Sequence, residues 1–335
     1  MTPASGAGNR PCDVIPNPRL RITGIILVRV SMPWSLKIRY WLEYALLRSV
    51  IGFVRLFPLD VATNVSARLT QMISRGSRRH KNALANLKIA FPELSDEERE
   101  AIAMEMWDNI GRVIVETMQI DRILEDPDRI EVENLPMVMR YKDKMGATIA
   151  ATMHFGNWEL SSWPLALAGS PTAAVYRLIN NPYVDAYMQE KRKTLYPGGL
   201  FGKAGYKGRA TGFETARMLG RLLRHRGRND TASLGFVADV YDRNGVAVPF
   251  FGRDVKFTPF PCLLARRLNA RMWIGRCERL GKQSRFRINA VEVKIPKTEN
   301  EDEDIREIAA SVYGHFEQWI RENPGQFMWS NKRFV

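Results

Sequence analysis

The chain has 335 residues, enough for one large domain or two modest ones. Its apolar fraction of 45% excludes a disordered chain, and its net charge of +14 predicts attraction to anions: phospholipid headgroups, nucleic acid or an acidic carrier protein. Three cysteines (Cys12, Cys262, Cys277) and four histidines (His80, His154, His225, His315) form no HExxH or paired CxxC pattern, so the thiols read as reduced in a cytosolic setting and no metal site is expected.

Residues 1–31 are rich in Pro and Gly and read as a disordered extension, with Met32 as the true or an alternative start. The apolar run 22–28 is too short and wrongly flanked for a signal peptide. Residues 34–59 read as a helix in which Trp34, Tyr40, Trp41 and Tyr44 mix with Lys37, Arg39, Arg48 and Arg55. No uncharged run reaches the roughly 18 residues of a spanning helix, so this stretch suits an interfacial position; a surface helix packed on the core is the other reading.

Helices follow. Asp60 caps one to about residue 74, and 78–81 opens another, a solvated basic turn that includes His80 and ends before Pro92. Ser95 and Glu98 make a capping box ahead of the periodic segment 102–120. These helices fill a region 32–128. From 129 to 335 strands and helices alternate. Strands are expected at 130–133, 149–153, 172–176, 232–237, 246–250, 271–276 and 286–293, and helices at 135–144, 181–195, 214–225, 262–268 and 305–322. The prediction is an α/β fold, a mostly parallel central sheet flanked by helices, with an N-terminal helical membrane-associating region.

The stretch 148–160, TIAATMHFGNWEL, stands at the centre of this pattern. A buried strand meets His154, breaks at Gly156, and restarts at Asn157 as the N-cap of a helix whose first turn holds Glu159. Open α/β sheets build sites at that edge. Five residues apart on one helix, the two side chains would diverge by about 140°. A turn at Gly156 lets Glu159 fold back on the imidazole, fix its tautomer and leave the other nitrogen as a base that activates a hydroxyl for acyl transfer. A hydrogen-bonded core histidine is the alternative.

Other candidates lie at strand ends. Arg177 could hold a phosphate or a developing oxyanion, or form a structural ion pair. Asp239 ends the strand LGFVAD, where a turn-forming Asp is the plain alternative. Gly252, after Phe250-Phe251, would let backbone approach a ligand, and the two rings could line an acyl groove or fill the core. Arg217, Arg221, Arg224, Arg226 and Arg228, preceded by Lys203, Lys207 and Arg209, form a basic stripe that could track nucleic-acid phosphates, meet lipid phosphates or an acidic carrier in an acyltransferase, or be only a solvated face. No zinc-finger, RNP or cold-shock pattern supports nucleic-acid binding.

His154-Phe155-Gly156-Asn157-Trp158-Glu159 resembles the HX4D/E motif of glycerolipid acyltransferases, and more closely the lauroyl/myristoyl-type secondary acyltransferases of lipid A biosynthesis. Tyr176-Arg177 with Asn181-Pro182, then Asp239, then the run 248–252 (VPFFG), then QFMWSNKRF at 326–334 agree in order. Val240 and Asn331 depart from the pattern, where Gln and His are common. The resemblance implies an acyltransferase domain at 129–335 with His154 as base, Glu159 as its partner, and Arg177, Asp239 and Gly252 at the substrate. It further implies an acyl carrier protein thioester as donor, a lipid A precursor as acceptor, no cofactor, and work at the cytoplasmic face of the bacterial inner membrane. An acyltransferase for another glycolipid or a lysophospholipid, or a non-catalytic basic membrane- or nucleic-acid-binding protein, fits the same charge pattern.

Overall fold

The computed structural model of the protein describes residues 32–140, 146–202, 223, 232–331, 333 and 334. Four helices come first: α1 (Trp34–Val54), α2 (Leu59–Ser74), α3 (Arg78–Ala90) and α4 (Asp96–Met118). The capping box of α4 is formed: Ser95 Oγ accepts from the Glu98 N–H at 3.1 Å and the Glu98 carboxylate accepts from the Ser95 N–H at 2.7 Å. His80 does not lie on a solvated turn. Ser77 caps α3, and His80 is buried, its Nδ1 accepting from Trp107 Nε1–H at 3.0 Å and its Nε2 donating to Glu100 at 2.9 Å. The helical pitch that follows Ser77 turns it inward, although its sequence neighbours are cationic.

After the short α5 (Ile120–Leu124) the chain alternates β1 (Ile130–Val132), α6 (Leu135–Arg140), β2 (Ala147–Thr152), α7 (Trp163–Leu167), β3 (Thr172–Tyr176), α8 (Pro182–Arg192), β4 (Gly199–Gly202) and β5 (Ala232–Val237). A hairpin, β6 (Tyr241–Phe250) and β7 (Arg253–Phe257), precedes α9 (Phe260–Arg267), β8 (Arg271–Arg279), β9 (Phe286–Val293) and α10 (Glu301–Glu322). Among the described residues one seven-stranded sheet has the order β1-β9-β8-β2-β5-β3-β4, parallel except where β8 meets β9. The mostly parallel sheet flanked by helices is therefore present.

The expected strand 246–250 is one arm of a hairpin that forms its own two-stranded sheet, turning at Phe251 and Gly252 with φ of 51° and 70°. α10 begins at Glu301, four residues earlier than expected, because Asn300 caps it and four acidic residues fill its first turn. The main core joins α3, α4, α9 and α10 to the sheet and the C-terminal segment, so the N-terminal helices and the sheet share one interior. The helix expected at 214–225 and the basic stripe of Arg217 to Arg228, with Lys203, Lys207 and Arg209, lie outside the described residues apart from the buried, helical Leu223.

Candidate active site

β2 and β5 are parallel neighbours in register, Thr152 opposite Val237, and the Ala238 N–H continues the pairing onto Thr152 O at 2.8 Å. Two residues beyond each strand stand His154 and Asp239. Sheet register alone brings them level, and His154 Nδ1 donates to Asp239 Oδ1 at 2.7 Å. The other carboxylate oxygen accepts from Arg333 Nη2 at 2.7 Å, and Arg333 Nη1 donates to the Asp239 carbonyl. The Asp239 and Arg333 side chains are almost fully buried, while the imidazole keeps 19% of its surface open. Burial alone would push the Asp239 carboxyl up. The charge of His154, then that of Arg333, and hydrogen bonds from both, outweigh this and hold it well below the usual carboxylate range. An ionised Asp239 accepting at Nδ1 fixes a proton there, so in the neutral imidazole the lone pair is on Nε2, which has no partner among the described residues.

The carboxylate hydrogen-bonded to His154 is thus that of Asp239, not Glu159. Glu159 lies in a 3-10 turn, Trp158–Ser162, and its carboxylate is gripped by Arg192 at the end of α8, Oε1 to Nη2 at 2.5 Å and Oε2 to Nε at 2.8 Å. A planar guanidinium offers a bidentate match that an imidazole edge cannot. The phenol pKa of half-buried Tyr196 beside them is pushed up to about 12 by desolvation and then by the Glu159 charge. The Trp158 ring meets the His154 ring edge-on at 5.1 Å between centroids.

The loop that carries His154 is fixed from behind. Gly156 N–H donates to Gln326 O at 3.0 Å, Asn157 N–H to Cys277 O at 3.1 Å and Met328 N–H to His154 O at 2.9 Å. Asn157 is not a side-chain cap. It is buried and its Nδ2 donates to Glu116 at 2.9 Å, while Asn109 Nδ2 donates to Gly156 O at 2.9 Å. Both Glu116 oxygens accept from Arg279, at 2.5 and 2.8 Å, and Arg279 Nε donates to Asn109. A fully paired buried ion pair of this kind makes a rigid mount for a reacting side chain.

Register extended beyond β3 places Arg177 at the same sheet edge, exposed and without an ion pair among the described residues. Asn181 caps α8, accepting from the Tyr183 and Val184 N–H groups, and its amide donates to Tyr40 O of α1. Gly252 is exposed at the β6–β7 turn, and none of the hydrogen bonds around His154 reaches it. Phe250 and Phe251 are buried with Phe257, Tyr313 and Trp329 and pack on the half-buried Phe334, so they are core rings rather than the wall of a groove. Tyr313 O–H donates to Ala238 O at 2.7 Å and so supports the edge beside Asp239.

Sequence reasoning missed Arg333, Glu116, Arg279 and Arg192. Only Arg333 left a signal, as part of QFMWSNKRF. Among the described residues no three His, Cys, Asp or Glu side chains converge as metal ligands.

A histidine held by a buried carboxylate, with its outer nitrogen open at the carboxyl edge of a parallel sheet, can take the proton of a hydroxyl and so fits transfer of an acyl group. The family model described as bacterial lipid A biosynthesis acyltransferase matches residues 32–335, and the chain belongs to this family of O-acyltransferases. It is similar to the lipid A biosynthesis palmitoleoyltransferase of Escherichia coli (strain K12), 26% identical over 302 residues that cover 88% of this chain and 92% of that protein. The lipid A biosynthesis lauroyltransferase of the same strain is 24% identical over 305 residues, with the same coverage. The corresponding myristoyltransferase is 26% identical over 152 residues, 44% of this chain and 46% of that protein.

Proposed function

We propose that the chain moves a fatty acyl group from an acyl carrier protein thioester to a hydroxyl of a lipid A precursor at the cytoplasmic face of the inner membrane. The observation that carries this reading is the His154–Asp239–Arg333 array at the sheet edge, in a chain of the lipid A acyltransferase family. His154 Nε2 takes the acceptor proton as the hydroxyl oxygen attacks the thioester carbonyl. Asp239 steadies the imidazolium that results, and Arg333 keeps Asp239 ionised and aimed. When the tetrahedral intermediate collapses, the C–S bond breaks, the ester remains on the acceptor, and the proton passes from Nε2 to the leaving thiolate. Arg177, exposed at the same edge, is placed to hold a phosphate of the acceptor or the developing oxyanion. Glu159, locked to Arg192, shapes the wall beside Trp158 rather than working on the imidazole.

The membrane part of the reading rests on α1. Among the described residues no helix is long and apolar enough to cross a membrane. α1 instead exposes Trp34, Ile38, Trp41, Leu42, Leu46, Val50 and Phe53 beside Lys37, Arg39 and Arg48, which suits a helix lying in the interface. Mass spectrometry of lipid from cells with and without the gene tests the function. Loss of one ester-linked acyl unit from lipid A is expected, and an unchanged lipid A would overturn it.

A further inference from the structure

α2 is built inside out. Apart from Leu59 in its first turn, its inner face carries small side chains: Ala62, Thr63 and Ala67 are buried, and Ser66 Oγ donates to Gly111 O of α4 at 2.6 Å. Gly111 permits this approach, since a Cβ there would come within 2.6 Å of the Ala67 Cα. The large apolar residues Val61, Val65, Leu69, Met72 and Ile73 face outward, within an arc of about 120° at 100° per residue. Met72 and Ile73 are 75% and 78% exposed. A helix packed on a protein in water places such residues inward, and a row of this length left outside marks an apolar medium or partner. Phe53, Leu56 and Phe57 continue the row through the end of α1 and the connection to α2.

Charge decides what covers it. Residues 61–92 hold no Asp or Glu and six cations: Arg68, Arg75, Arg78, Arg79, Lys81 and Lys88. All six are exposed, and Arg75 reaches an acid of another element, Glu100, at 3.5 Å. A second copy seated symmetrically on α2 would bring Arg68 and Arg75 of the two copies together, whereas an anionic leaflet attracts each of them.

We propose that the outer face of α2, with the α1–α2 connection, lies in the headgroup and acyl boundary of an anionic leaflet. This rests on the reading of the protein as an enzyme of a membrane glycolipid and adds a second docking element to α1. α4 packs on the inner side of α2 and holds the His154 loop through Asn109 and Glu116. The lipid-facing helix and the base therefore share one rigid support, which sets the height of His154 above the leaflet.

The test uses the full chain with Cys12→Ser, leaving Cys262 and Cys277, both buried. Leu69→Cys on α2, Leu46→Cys on α1 and Glu307→Cys on α10 each carry an environment-sensitive fluorophore. Vesicles of phosphatidylglycerol and phosphatidylethanolamine contain a nitroxide-labelled lipid as quencher. The expected result is a blue shift and quenching at positions 69 and 46 and neither at 307. A probe at 69 that stays aqueous overturns the proposal, and the probe at 46 then shows whether docking through α1 stands without it. A probe at 69 shielded in a concentration-dependent manner without lipid, and untouched by the nitroxide, overturns it in favour of a second copy. Acyl transfer by the same labelled chains in detergent reports on the enzymatic reading separately.

Discussion

Asp239 keeps its charge inside the protein because the buried Arg333 guanidinium and the His154 ring N–H share it, and this has a consequence for stability. Its pKa is depressed in the fold, so its contribution is present above the unfolded value of about 3.9 and lost as pH falls through the lower folded value. The urea midpoint of the wild type is expected to drop between about pH 5 and pH 3 more steeply than that of Asp239→Asn; equal slopes would show that the charge is not coupled to folding. The same substitution should lower turnover by roughly 10² to 10⁴, because an amide cannot accept from both His154 and Arg333 and the tautomer is no longer held. His154→Ala should cost about 10² or more, and the two losses should not add. Glu159→Gln belongs to a different pair. Its effect should be non-additive with Arg192→Gln and additive with Asp239→Asn in a double-mutant cycle. Coupling of Glu159 to His154 instead would return Glu159 to the imidazole.

The loop between β2 and α7 is an element specified from outside itself. Gly156 has φ of 53°, and a Cβ there would stand 1.8 Å from the Cys277 carbonyl oxygen, so Gly156→Ala should destabilise by more than about 1 kcal/mol. Glu116→Gln leaves Arg279 buried and half-paired, and a loss of roughly 3 to 5 kcal/mol in denaturant unfolding is expected; a neutral result would mean that the pair does not hold the loop. These dependences also explain what could be read in advance. The apolar runs that end at Thr152 and Val237 and the capping residues Ser95 and Asn181 are local signals, and they gave the strands, the helices and the sheet edge. The hydrogen-bond partner of His154 depends on register between segments 85 residues apart in sequence, which no local pattern encodes, whereas local reading offers only Glu159, the carboxylate nearest in sequence. Phe250 and Phe251 are ambiguous in sequence because adjacent apolar residues at a strand end look the same whether they meet a core or a ligand.

Among the described residues most of the exposed large apolar side chains lie on α1, α2 and the connection between them, and residues 32–92 carry ten cations against two acids. Each exposed cation near an anionic leaflet contributes about 1 kcal/mol and is screened by salt, whereas inserted Trp and Leu side chains are not. The full chain is therefore expected to stay on anionic vesicles through a high-salt wash and to leave only with detergent. The full chain with Trp41→Glu and Leu46→Glu should be released by salt. Flotation of both at low and high salt decides this, and release of the unaltered chain by salt alone would show that α1 only packs on the domain.

Purified full-length chain in detergent, given an acyl carrier protein thioester and an under-acylated lipid A precursor, tests the central claim most directly. Mass spectrometry of the acceptor lipid should show one added ester-linked acyl chain with the wild type, and formation of that product slowed by roughly 10² or more with His154→Ala and with Asp239→Asn. A His154→Ala protein that folds normally and forms the product at the wild-type rate would contradict it.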